Sequence, residues 1–81
     1  MEENLRAMFD TMDETRDGLR SQTNRVEQIL FALYEEVEDP LGDGEELVGI
    51  LTDAAHDLHA LAGIVAMLSA QLTDIGKEIL R

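Results

Sequence analysis

The sequence predicts an all-α fold: an antiparallel helical hairpin of two long helices, joining a second copy as a four-helix bundle. Three observations predict it. The second half repeats apolar residues at alternating spacings of four and three without a break. The first half carries the same rhythm with polar interruptions. The only proline stands between the halves, beside two closely spaced glycines.

The first helix is expected over about residues 2–38. Leu5, Met8, Met12, Thr15, Leu19, Gln22, Val26, Ile29 and Leu33 step by three and four, which is helical periodicity. Thr15 and Gln22 are polar members of this seam. Gly18 costs about 1 kcal/mol relative to alanine inside a helix, which makes "RDGLRSQ" the place to look for a break. The seam keeps phase from Leu19 into Val26, so one helix is expected to continue through it.

The turn is expected over about 39–43, within "EDPLGDGEE". Pro40 biases Asp39 away from helical angles and stops the first helix near Glu38. Gly42 and Gly44 suit a tight reversal. Asp43 followed by Glu46 three residues later reads as a capping box for the second helix.

The second helix is expected over about 44–80. Leu47, Leu51, Ala54, Leu58, Leu61, Val65, Leu68, Leu72, Ile75 and Ile79 form a heptad seam. At 1.5 Å per residue each helix is roughly 55 Å long, and equal lengths with a short connection make a hairpin. Folding at Gly42 sets Leu33 against Leu51, Val26 against Leu58, Leu19 against Val65, Met12 against Leu72 and Leu5 against Ile79. The whole chain, residues 1–81, is then a single domain.

One seam per helix leaves apolar residues unused, because "ALAGIVAML" is apolar all round, a sign of burial on several sides. Phe9, Leu30, Tyr34 and Val37 add a second stripe to the first helix. A bare patch of this kind marks an interface. The expected contact is a homodimer meeting around residues 60–70, through Ala62, Gly63, Ala66, Met67 and Ala70. Small residues there let two helices approach closely.

Composition narrows the function. A formal net charge of −12 with six Lys and Arg argues against direct nucleic-acid binding, which needs clustered cations. With no cysteine, sulfur-ligated zinc and cysteine nucleophiles are excluded. The N-terminus lacks the basic-then-apolar pattern of a signal peptide. The most apolar run falls short of the roughly 20 residues of a spanning helix. A cytoplasmic protein without a membrane segment is expected.

"DAAHDLHALAG" holds the two histidines. His56 and His59 lie three apart, flanked by Asp53 and Asp57. Di-metal bundles need a facing acid on the other helix. Here Gln28 and Arg25 are expected opposite, and an arginine opposes a cation. The pair reads as solvated or structural, with a helical metal-binding protein using His56 and His59 as the remaining alternative. The turn matches a calcium loop poorly: with Asp39 first, Leu41 and Ile50 fall where ligands are required. Neither Ser21 nor Ser69 stands in a nucleophile context. No enzyme and no cofactor are expected, and Met8, Met12 and Met67 read as core fillers.

The charge distribution is more informative. Between Val26 and Gly76 there is no basic residue, and "YEEVEDPLGDGEE" carries Glu35, Glu36, Glu38, Asp39, Asp43, Glu45 and Glu46. Such a one-sign field steers basic partners. The expected function is a small acidic protein-binding module, an inhibitor or regulator of the mobile-element type. It would dock those seven acids onto a basic patch of another protein, with Tyr34 or Leu41 as apolar anchor, and could block a nucleic-acid-binding site. The alternative is a structural assembly module acting through its apolar flank.

Overall fold

A computed structural model describes residues 2–38 and 44–81. It contains two helices, α1 (Glu2–Glu38) and α2 (Gly44–Leu80), packed side by side in a rod 59 × 14 × 13 Å. Both boundaries coincide with the expected ones. The expected turn at 39–43, with Asp39, Leu41, Asp43 and the Asp43 capping box, lies outside the described residues.

α1 runs unbroken through Gly18. A Cβ built there would meet nothing within 4 Å, so this glycine answers no packing need. Thr11, Thr15 and Thr23 each donate a hydroxyl hydrogen bond to the carbonyl four residues back, which lets threonine sit inside a helix with its hydroxyl satisfied. Glu2 and Glu3 open α1, and Glu45 and Glu46 open α2, where carboxylates complement the positive end of the helix dipole. Lys77 in the last turn of α2 does the converse. At the α2 terminus Arg81 pairs with Glu78 at 3.4 Å.

The contact follows a heptad on each helix. On α1, Leu5, Met12, Leu19, Val26 and Leu33 occupy position a; Met8, Thr15, Gln22, Ile29 and Glu36 occupy d. On α2, Leu47, Ala54, Leu61, Leu68 and Ile75 occupy a; Ile50, Asp57, Ile64, Gln71 and Glu78 occupy d. Each of these is buried or half-buried. The α1 seam is the expected one.

The α2 seam differs from expectation at every second member. Leu51, Leu58, Val65, Leu72 and Ile79, expected against α1, stand 45–55% exposed. The residues one step earlier in the chain face inward instead. The α2 helix is thus turned by one heptad column, and polar groups of α1 are partnered in this arrangement. Gln22 donates Nε2–H to the carbonyl of Asp57 at 2.9 Å. Arg25 Nε lies 3.2 Å from Asp57 Oδ1. Gln71 donates Nε2–H to Thr15 Oγ1 at 2.8 Å. The part-buried Gln22 and Thr15 of α1 thereby gain partners on α2, and unpartnered buried polar groups are costly. One cost remains: Gln71 Oε1 is buried without a hydrogen bond.

The core is thin. Among the described residues the buried apolar side chains are Val26, Ala54 and Ile75, and none is fully enclosed.

Candidate functional site

The acids predicted for partner binding divide. Glu35, Glu38, Glu45 and Glu46 are exposed, at the end of the rod where α1 finishes and α2 begins. Glu36 is buried at a d position, facing α2 rather than solvent. Tyr34 is 62% exposed in the same region and is available as an anchor. Position matters as much as charge. The last turn of α1 contains no basic residue, so Glu35 and Glu38 sit at the negative end of the helix dipole. A charge there is unfavourable by about 0.3–1 kcal/mol. Helix stability accounts for Glu45 and Glu46 but not for these two.

The charge is also graded along the rod. Residues 21–62 hold ten acids and one cation; the remaining residues hold eight acids and five cations. The closed half is therefore at −9 and the open half at −3, which together make the chain total of −12.

The two long flanks of the hairpin are unlike each other. On one side lie the g positions, among them Thr11, Arg25, Asp53, Met67 and Asp74. A groove of about 430 Å³ on this side is lined by Arg25, Gln28, Ile29, Asp53, His56 and Asp57. It places His56 by Gln28, as expected from sequence. Asp57, which flanks that histidine in the chain, is committed to Arg25 and to the seam. Among the described residues no group of three or more His, Asp or Glu side chains is placed to hold a metal, and His59 is exposed outside the groove.

On the other side lie the e positions of both helices. The register that sets Arg25 level with Asp57 and Thr15 level with Met67 also sets Phe9 near Leu72 and Leu30 near Leu51. Phe9, Leu30 and Val37 on α1 join Leu51, Leu58, Val65, Leu72 and Ile79 on α2, all of them exposed. Next to the α2 column runs position b: Val48, Ala55, Ala62, Ser69 and Gly76. The ten e and b residues from Val48 to Ile79 include no charge. This is a second complete heptad seam, and it faces outward.

The residues expected at a dimer contact, Ala62, Gly63, Ala66, Met67 and Ala70, are all exposed. Ala62 belongs to the outward seam. Gly63, Ala66 and Ala70 lie further round the helix, and Met67 lies on the opposite flank, its sulfur 3.9 Å from Thr15 Oγ1. Sequence reasoning found these small residues but missed the outward seam, because it had assigned the large members of that seam to the intramolecular contact.

By length and composition α2 is apolar enough to cross a membrane: its most apolar 18-residue window has mean hydropathy 1.4 and is 6% buried.

The molecule is thus an all-α two-helix hairpin with an acidic end and one apolar flank. The chain matches no known protein family, no curated protein and no solved structure.

Proposed function

We propose that the chain is a protein-binding module that docks its acidic end onto a basic surface of another protein. A nucleic-acid-binding face is the natural target, since it presents clustered cations to acids that imitate phosphate. The observation that carries this reading is the placement of Glu35 and Glu38. They are exposed at the helix terminus where they oppose the dipole, beside further acids on α2. A basic partner turns that local cost into binding energy and fast, steered association. Tyr34 supplies an apolar anchor at the rim. The reading assigns the chain no catalytic role and no cofactor.

The test is the triple substitution Glu35→Lys, Glu38→Lys and Glu46→Lys. Proteins captured from the host lysate by the native chain, and released by about 0.5 M salt, should no longer bind the variant, while its helical circular dichroism stays unchanged. Retained capture would overturn the reading.

The exposed outward seam favours a second reading, an assembly module whose apolar flank is the working surface. Here substitution of Leu58 by Glu should abolish function, and salt should have little effect on partner binding. The seam suits protein better than lipid. Asp57 and Asp74 bracket 16 uncharged residues, about 24 Å of helix, against a hydrocarbon core of about 30 Å.

A further inference from the structure

We infer that the outward seam of α2 is occupied by a second copy of this chain, packed antiparallel, with the two-fold axis between Gly63 and Ile64. This deepens the assembly reading and is independent of the acidic-end reading.

The first argument is area. The hairpin exposes 6225 Å². A compact protein of 9.0 kDa exposes about 4,900 Å². The excess is roughly 1,300 Å² per chain, enough for a stable interface, which removes about 800 Å² from each partner.

Shape fixes the occupant and its direction. The seam alternates large residues at e (Leu51, Leu58, Val65, Leu72, Ile79) with mostly small ones at b (Val48, Ala55, Ala62, Ser69, Gly76). In an antiparallel helix pair, each residue of one column meets the other column of its partner. With the axis between residues 63 and 64, Val65 meets Ala62, Leu58 meets Ser69, Leu72 meets Ala55 and Leu51 meets Gly76. At the ends Ile79 meets Val48. All ten residues are used, and in each of the four inner pairings, every one repeated by the two-fold axis, a large side chain faces a small one, as tight packing requires. The space exists at the tightest layer: a Cβ on Gly76 would meet nothing within 4 Å in the isolated hairpin. A parallel pair would instead stack small on small and leave voids along the b column.

Charge selects the same direction. Antiparallel packing sets the −9 half of one copy beside the −3 half of the other, which carries five of the six cations. Parallel packing would set the two −9 halves together.

The experiment uses sedimentation and engineered cysteines, since the chain has none of its own. The native protein at tens of micromolar should sediment at about 18 kDa, twice the chain mass of 9.0 kDa. Leu51→Cys and Gly76→Cys proteins, mixed and oxidised, should give a mixed disulfide dimer, while Leu51→Cys alone should stay uncrosslinked. A folded monomer in sedimentation would overturn both this inference and the assembly reading. A dimer in which Leu51→Cys crosslinks to itself would overturn the antiparallel arrangement and leave the assembly reading standing. A monomer that floats with phosphatidylcholine–phosphatidylglycerol vesicles would assign the seam to lipid and overturn the inference.

Discussion

Removing Arg25 probes an ion pair that the observed facing of α2 makes. Arg25 Nε lies 3.2 Å from Asp57 Oδ1, with the arginine side chain 72% and the aspartate side chain 10% exposed. At that separation two unit charges interact by about 1.3 kcal/mol in bulk water and about 5 kcal/mol at an effective dielectric of 20. The exposed arginine keeps most of its hydration and is screened by salt, so the lower figure applies. Arg25→Ala also leaves a nearly buried carboxylate without its cation, which raises the cost again. The expected loss is about 1–2 kcal/mol, or a fall in Tm of roughly 4–16 °C for a domain of this size. Asp57→Leu should behave in the opposite way. It places an apolar side chain at a d position, leaves the Gln22 hydrogen bond to the Asp57 backbone intact and releases an arginine already in water. Stability should be unchanged or higher. Urea unfolding followed at 222 nm, at one fixed protein concentration because self-association shifts apparent stability, measures both. A neutral Arg25→Ala together with an Asp57→Leu loss above 2 kcal/mol would refute this account of the ion pair.

Three further outcomes are expected. Ile50→Asp buries a charge against α1 and should cost about 2–3 kcal/mol, while Leu51→Asp, compared at a concentration where both variants are monomeric, should cost under about 1 kcal/mol; the reverse order would return the leucines to the intramolecular seam. Gly18→Ala should raise stability by about 1 kcal/mol, since open space surrounds the new methyl group, and a loss in urea unfolding would mean that α1 is distorted there. Gln71→Met removes the buried oxygen that has no partner and should leave stability within about 1 kcal/mol of the native chain.

The helix boundaries were legible because local chemistry specifies them. Proline at position 40 disfavours helical angles in the residue before it, acids favour the first turn of α2, and each helix repeats every seven residues for its whole length. The facing of α2 was not legible. Its apolar residues fill the a column, the e column and two of the five d positions, Ile50 and Ile64. A spacing of four then three therefore fits Leu47–Leu51–Ala54, and three then four fits Leu47–Ile50–Ala54. Hydrophobic periodicity favours the first, because it ranks Asp57 and Gln71 as surface residues. The other helix adds what periodicity lacks: Thr15 takes a hydrogen bond from Gln71, and Arg25 pairs with Asp57, both in the d column of α2. The signal was present in the polar defects of the α1 seam.

The same rotation links the two proposed surfaces. Had α2 turned its leucines inward, the hairpin would carry an acidic end and no outward seam. With the seam outside, antiparallel pairing distributes the acids rather than hiding them. Each end of the proposed dimer would then receive one half at −9 and one at −3, so both ends would stay strongly acidic even with the partner's cations nearby. In the proposed dimer the two sets of Glu35, Glu38 and Glu46 would stand at opposite ends of a rod about as long as one hairpin, 59 Å. Such a dimer binds bivalently when its target presents basic surfaces at that spacing, as along a repeating filament or an oligomer. The second contact is then intramolecular and raises avidity with no new chemistry. Leu58→Glu, which splits the dimer but leaves the acidic end intact, should therefore weaken capture of a multimeric basic target far more than capture of a monomeric one. Equal weakening of the two would separate the seam from partner binding.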